Sequence, residues 1–536
     1  MFIKKQILLA SMIGLVFGVS SCKRYLDVNK NPNVTPTATP ATLLPTSQMY
    51  VASAMGVDLQ VNGSIWAEYW TQDPSASQYR TLEQYQPTQS TYETPWLNLY
   101  TAAENFYQLD KLAASLKKKQ YVAISFIMKA YTFQVLTDGW GDIPFKEALK
   151  GLPSDGGITS PHYDAQQVVY TGILAYLDSA NALLDPSDVT KPGVDDLIYG
   201  GDMTKWQAFS NTLRLKILMR MSAVDPAGAQ AGINALYATG PSFIDESNDA
   251  QINFSTTAGN KNPFYAEAIG VGGTQNVVGS STIIDTMNAD DDYRAFIDYE
   301  YVASAGVPVG IKQGAYDAVV AAGSYSLPTP YMAGDASAAD ASNAFGYSSA
   351  SAPVKFLTSY ESAFLQAEAV VRFGVAGDDA ALFMQGVHAS IYTYAYAYAA
   401  EDLELADYPQ TSVNGDTITS PIFLTPDFAY YSYFNGDTIY GAPPAYWGQY
   451  PTSGSMTEKL RFIITQKWLS MCGSQGFEAW TEYRRTGYPD FLVISSNSLI
   501  GNEFPKRFLY PSSESTENSN YPGLKSITDK VWWDLL

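Results

Sequence analysis

The chain has 536 residues, with 32 Lys and Arg against 53 Asp and Glu, for a formal net charge of −21. So negative a surface argues against nucleic acid and anionic membrane surfaces as partners, because neutralising phosphate needs clustered Lys and Arg. The length exceeds the usual single domain, so one large or two smaller domains both fit, and two cysteines give no disulfide framework if one is modified.

In chain order, Lys4 and Lys5 form a positive start and Ile7 to Val19 an apolar run. That run suits a signal peptide and falls short of the roughly 18–20 residues a bilayer span needs. It ends in Val19-Ser20-Ser21-Cys22, which resembles a bacterial lipobox. Residues 1–21 are then a cleaved leader, and Cys22 carries acyl chains that anchor the protein to a membrane, each buried CH₂ contributing about 0.8 kcal/mol. The alternative is an ordinary secretory signal with an incidental Cys. Residues 22–46, rich in Pro, Thr and Asn, read as an extended lipidated tether. The body is expected over 47–536. Cys472, left alone, reads as a buried small hydrophobe.

Helix signals dominate the body. Capping patterns open helices at Asp164 with Gln167, Thr204 with Gln207, Thr358 with Glu361 and Ser455 with Glu458. Apolar residues follow at helical spacing, as in Trp206, Phe209, Leu213 and Ile217, or Leu460, Ile464, Trp468 and Met471. Stretches near 96–116 and 120–137 meet at a short Lys-rich turn, which makes helix–turn–helix pairs the natural unit, as in tetratricopeptide arrays. The expected fold is all-α dominated: such pairs, with long irregular loops and minor β structure. Long Gly, Ser, Asp and Pro segments, roughly 240–350 and 400–455, exceed simple connections and are expected to carry small strands or function. Whether 240–350 forms a separate lobe stays open.

No catalytic or cofactor motif appears. His162 and His388 are the only histidines and lack a partner at metal-ligand spacing; His162 reads as a helix-entry residue and His388 as a structural one. Asp290-Asp291-Asp292 lacks calcium-loop spacing and reads as a solvated helix start. No metal, cofactor or enzymatic activity is expected, although a glycosidase carboxylate pair is a property of the fold that sequence does not exclude.

The feature that stands out is aromatic: 39 Tyr, 24 Phe and 10 Trp. Tyr and Trp offer a flat apolar face with a polar edge, suited to a sugar ring. One candidate cluster is Trp66, Tyr69, Trp70 and Tyr79, for which core packing is an equal reading given the i, i+4 spacing of the tryptophans. The other includes Tyr430, Tyr431, Tyr433, Phe434, Tyr440, Tyr446, Trp447 and Tyr450; of these Tyr431, Tyr433, Tyr446 and Trp447 are the candidate ligand contacts. A surface role is favoured there, facing either ligand or partner protein.

Several blocks in order carry a family resemblance: Cys22 to Asn29 followed by Asn31-Pro32-Asn33; Leu136 to Phe145; Gly201 to Trp206; Tyr360 to Ala369; Thr465 to Trp468; Glu478 to Pro489; Arg507 to Pro511; and Val531 to Asp534. Together they identify the chain as a member of the SusD/RagB lipoproteins. The resemblance implies an outer-membrane lipoprotein, facing the cell exterior, that captures oligosaccharide, or in some members peptide, for a SusC-like TonB-dependent barrel. The blocks themselves read as scaffold: Glu361 and Glu368 share a helix face that can bond neighbouring helices, Arg484 and Arg485 suit a helix end stopped by Gly487, and Trp532 and Trp533 dock the tail. A glycoside hydrolase or lyase, and a purely structural surface lipoprotein, are the competing readings.

Overall fold

The computed structural model describes residues 38–266, 276–300, 302–329, 332, 349–398, 410–411, 417–418, 426–436 and 443–534. Helix α1 spans Pro40–Gly56, followed by α2 (Asp58–Trp66) and the short α3 (Arg80–Glu83). Next come α4 (Glu93–Ser115) and α5 (Lys119–Trp140), joined by the expected Lys-rich turn with Lys117 at φ 59°. α6 (Gln166–Asn181), α7 (Met203–Met221) and α8 (Pro226–Ala238) lead to the short α9 (Ser281–Ala289) and α10 (Arg294–Asp298). α11 (Ser359–Phe373), α12 (Asp379–Tyr398), α13 (Pro426–Asn435), α14 (Met456–Ser470), α15 (Gly476–Thr486) and α16 (Ser512–Glu517) follow. Neighbours pack as pairs, α4 on α5, α5 on α6, α7 on α8 and α11 on α12, while α1 lies along α4 and α2 along α15. The helix-pair fold read from the sequence is the fold observed.

Short strands β1 (Trp70–Gln72), β2 (Ile143–Pro144), β3 (Tyr163–Asp164), β4 (Ala250–Ile252), β5 (Val277–Gly279), β6 (Val354–Leu357), β7 (Gln410–Thr411) and β8 (Thr417–Ile418) make two-stranded antiparallel sheets. The pairs are β1–β5, β2–β3, β4–β6 and β7–β8. The long loops therefore carry strands, and the described part of 240–350 is stitched to the helices. β5 pairs with β1 directly after α2, β4 and β6 close the segment at its base, and Gln313 Nε2 donates to the Ile65 carbonyl at 3.0 Å.

Local signals account for several helix ends. Ser455 and Glu458 form the reciprocal box, Ser455 N–H donating to Glu458 Oε2 at 2.8 Å and Glu458 N–H to Ser455 Oγ at 3.3 Å. Gly487, left-handed at φ 74°, stops α15 as expected. Three expectations change. α1 begins at Pro40, inside the segment read as tether, because proline suits the first helical turn and burial of Leu44, Val51 and Ala52 outweighs the backbone bond lost at Pro45. Asp202 caps α7 ahead of Thr204, accepting from Thr204 N–H at 3.0 Å. Asp164 lies in β3, and α6 starts at Gln166, whose N–H donates to Asp142 Oδ1 at 2.9 Å.

Where α7, α11, α14 and α15 converge, charge is buried. Lys216 pairs with Glu361 at 3.1 Å and Glu478 at 2.7 Å. Arg220 pairs with Glu478 at 2.5 Å, Asp138 at 3.3 Å and Glu482. Lys467 reaches Glu482 at 3.1 Å, and Arg485 holds Glu368 and Glu482 at 2.7 Å each. Glu361 and Glu368 do bond neighbouring helices, so Thr358 caps α11 without Glu361 returning the bond. Trp533 docks the tail, its indole N–H donating to Asp138 Oδ1 at 3.1 Å. Cys472 is buried, as expected.

α2 and α15 approach so closely that a Cβ on Gly63 would sit 2.1 Å from Phe477 N and 2.2 Å from Gly476 C. The obstruction is backbone, so relief requires moving a helix. Gly63→Ala is expected to destabilise by about 1–3 kcal/mol or more. Gly193→Ala, with nothing within 4 Å, should shift the melting temperature little. Thermal melts of the two variants check the contrast.

Candidate functional site

The first aromatic cluster is part of the core. Trp66, Tyr69 and Trp70 are fully buried, and Tyr79 is half-buried against them. Trp66 donates its indole N–H to the Leu82 carbonyl at 3.1 Å and packs edge-on to Trp480 at 4.9 Å. Tyr69 donates to the Trp468 carbonyl at 2.5 Å, and Trp70 stacks on Phe264 at 5.7 Å. None of these three presents a face to solvent. Trp66 ends α2 and packs onto α15, whereas Trp70 lies beyond the helix in β1, so their i, i+4 spacing does not mark one helical face.

The second cluster divides. Tyr433 is buried, its hydroxyl accepting from Gln466 Nε2 at 2.5 Å, while Tyr431, two residues earlier on α13, is 54% exposed. Tyr446 is also 54% exposed, and Trp447 beside it is 7% exposed. Tyr440 lies outside the described residues, as does Cys22.

Tyr446 and Trp447 sit on a one-turn 3₁₀ segment, Tyr446–Gly448, locked from both sides. Asp290 accepts both backbone amides, Tyr446 N–H at 3.1 Å and Trp447 N–H at 2.9 Å. Burial pushes the Asp290 carboxyl up, and these two donors pull it back. On the other side, the Trp447 carbonyl accepts from Gln466 Nε2 at 3.0 Å, and Ala445 N–H donates to the Tyr433 carbonyl at 3.0 Å. α13, α14 and the end of α9 thereby hold one turn rigidly.

Beneath and beside the rings lie residues that carry no signal of their own in the sequence. Phe462 packs on Tyr446 at 5.4 Å and Trp447 at 5.2 Å, and Phe491 meets Trp447 at 5.8 Å. The Arg461 guanidinium stands 5.0 Å over the Trp447 ring. Its Nε and Nη2 donate to Asp490 at 2.9 and 3.1 Å, and Nη1 approaches the Tyr446 hydroxyl at 3.4 Å. The result is a shelf: an exposed tyrosine ring, a tryptophan edge and a planar guanidinium, with hydroxyl and carboxylate at its rim.

The Asp290–Asp292 run is not a solvated helix start. Asp290 ends α9 and supports the shelf, while Asp292 is buried in a pair with Arg294 at 2.6 Å. His162 is exposed and bonds Glu147 through Nδ1 at 2.8 Å; His388 bonds Glu246 at 2.6 Å and stacks on Tyr392 at 3.9 Å. Among the described residues no group of three or more His, Cys, Asp or Glu is arranged to hold a metal ion, and no helix is long and apolar enough to cross a membrane.

Fold and shelf together define the class: a helix-pair scaffold presenting a rigid, loop-borne aromatic surface. A family described as SusD-like, starch-binding associating with outer membrane, matches residues 31–511, and the chain belongs to that family. The fold is shared with a SusD homologue from Bacteroides fragilis NCTC 9343 at TM-score 0.70 and 22% identity, covering 93% of this chain and 99% of that one. A chitin-binding SusD homologue from Flavobacterium johnsoniae aligns at TM-score 0.67 and 21% identity over 92% and 97% of the two chains. Another structure, described as a chitin-binding protein, aligns at TM-score 0.71 and 24% identity over 93% and 100%. At these identities the likeness establishes the fold. No curated protein matches the chain.

Proposed function

We propose that this protein is a lipid-anchored outer-membrane receptor, facing the cell exterior, that captures oligosaccharide and delivers it to a SusC-like TonB-dependent barrel. The observation that carries the reading is the shelf of Tyr446, Trp447 and Arg461, fixed by Asp290 yet open at Tyr446. A rigid aromatic surface stacks on the C–H face of a sugar at small entropic cost. Tyr431, exposed on the helix that braces the turn, is proposed as a second contact. Binding without turnover is supported by how the carboxylates nearest the shelf are used. Asp290 spends both oxygens on backbone amides and Asp490 spends both on Arg461, whereas glycoside hydrolysis needs an acid and a base or nucleophile free to act. The family description, the chitin-binding proteins that share the fold and the Cys22 motif support the ligand class and the anchor.

Calorimetry against a panel of polysaccharides and peptide digests tests it. Binding to a glycan with no product release is expected, and Tyr446→Ala should weaken it at least tenfold, about 1.4 kcal/mol. Product release from any panel member would instead make the protein an enzyme. Pull-down from native membranes tests the partner, and repeated failure to recover a TonB-dependent barrel would remove it.

A further inference from the structure

The shelf carries a cation, and its placement bears on which sugars fit. This inference rests on the glycan-binding reading above. Arg461 presents a guanidinium whose side edge, Nε and Nη2, matches the spacing of a carboxylate, the geometry by which arginine recognises acidic ligands. That edge is filled from within the chain: Asp490 takes Nε at 2.9 Å and Nη2 at 3.1 Å. The remaining end, Nη1, faces the Tyr446 hydroxyl at 3.4 Å. The pair is surface-exposed, with side-chain exposures of 33% for Arg461 and 44% for Asp490, so it stands where a ligand on the shelf would meet it. The other acid at the turn, Asp290, adds negative charge below the rings, and the whole chain carries −21.

We propose that Asp490 is a specificity-determining residue: by occupying the Arg461 fork it sets the shelf to accept uncharged sugars and to refuse uronate-bearing glycans. A uronate would have to displace an internal carboxylate already held bidentately and would approach a net-negative surface. A neutral sugar meets a planar, charge-compensated face and keeps Nη1, the Tyr446 hydroxyl and the outer Asp490 lone pairs as hydrogen-bonding groups. Discrimination here is built by filling a site against the wrong ligand.

The test uses the full chain purified in detergent, with calorimetry against neutral oligosaccharides (maltoheptaose, N-acetylchitohexaose, cellohexaose) and oligogalacturonate of matched length. Wild type is expected to bind a neutral probe at least tenfold more tightly than oligogalacturonate. Asp490→Asn, which keeps shape and frees the guanidinium charge, should shift the acidic-to-neutral affinity ratio at least tenfold toward the acid. Arg461→Gln added to Asp490→Asn should return that ratio, and matching melting temperatures verify that both variants fold. Equal wild-type affinity for oligogalacturonate, or an unchanged ratio in Asp490→Asn while neutral binding stands, overturns this inference and leaves the proposed function intact. Wild type binding no probe at all overturns both.

Discussion

Removing the Glu482 charge is expected to destabilise the protein by about 3–5 kcal/mol, because it leaves three buried cations around one vacated position. Glu482 sits within reach of Arg485 at 2.7 Å, Lys467 at 3.1 Å and Arg220, all at most 7% exposed. Burial pushes its carboxyl up, but Arg485, Lys467 and Arg220 outweigh that and hold it well below the usual carboxylate range. The sign follows: stability from Glu482 is present above the unfolded value, near pH 4.3, and is lost as pH falls through the depressed folded value. Glu482→Gln keeps the shape and removes the charge. Arg214 and Asp178 form the comparison, with Asp178 72% exposed, and Asp178→Asn should cost less than about 1 kcal/mol. Urea denaturation at pH 7 measures both, and a Glu482→Gln cost no greater than that of Asp178→Asn would show that the buried cations find other compensation.

That network explains why the scaffold is legible in the sequence. Most of its members fall in the blocks that carry the family resemblance, among them Asp138, Glu361, Glu368, Lys467, Glu478, Glu482 and Arg485, while Arg220 lies outside them. Glu361 and Glu368, seven residues apart, fall on one helix face by spacing alone, and the Gly487 stop follows from local backbone geometry. The tether boundary does not, because proline content signals extended chain and first-turn helix alike. Only the packing of Leu44 and Val51 against α4 decides between them.

The site is legible only in part, for a physical reason. An aromatic side chain looks the same in sequence whether it faces a core or a ligand. Trp66 and Tyr446 differ in what covers them: Trp480, from a distant segment, lies over the first, while the second stays 54% exposed. Arg461 and Asp490, 29 residues apart, carry no shared motif, and the loop that joins them in space is set by the turn after Gly487. Asp290 is visible in the sequence as a charge, but two amides from residues 446 and 447 consume what local composition assigns to solvent.

The stability of the protein should also fall as pH rises, through a second set of buried carboxyls held by uncharged donors. Glu68, at φ 60° just past α2, accepts from Val493 N–H at 2.6 Å and from the Thr282 hydroxyl. Glu83 accepts from the Thr71 hydroxyl at 2.8 Å, Gln72 N–H at 2.9 Å and Gln313 Nε2 at 3.1 Å. Both are fully buried, and between them they tie α2 and β1 to the segment around Thr282 and Gln313 and to the loop after Asp490. Burial raises Glu68 to about 8, with Thr282 and Val493 opposing and Glu83 adding; burial raises Glu83 to about 7 against Thr71, Gln72, Gln313 and Gly314. The folded chain thus holds protons that the unfolded chain has released. This stability is fully present below the unfolded value near pH 4.3 and is lost as pH passes through about 7 and then about 8. Between pH 6 and pH 9 the combined loss is on the order of 4 kcal/mol, since at about 1.4 kcal/mol per pH unit Glu83 loses about one unit and Glu68 about two. The double variant Glu68→Gln, Glu83→Gln replaces each acid with an uncharged group of the same shape. Its melting temperature should stay nearly level over that range while wild type declines. Parallel decline in the two proteins would mean that these carboxyls are already ionised at neutral pH, and that the loop carrying Val493 is held by something other than a proton.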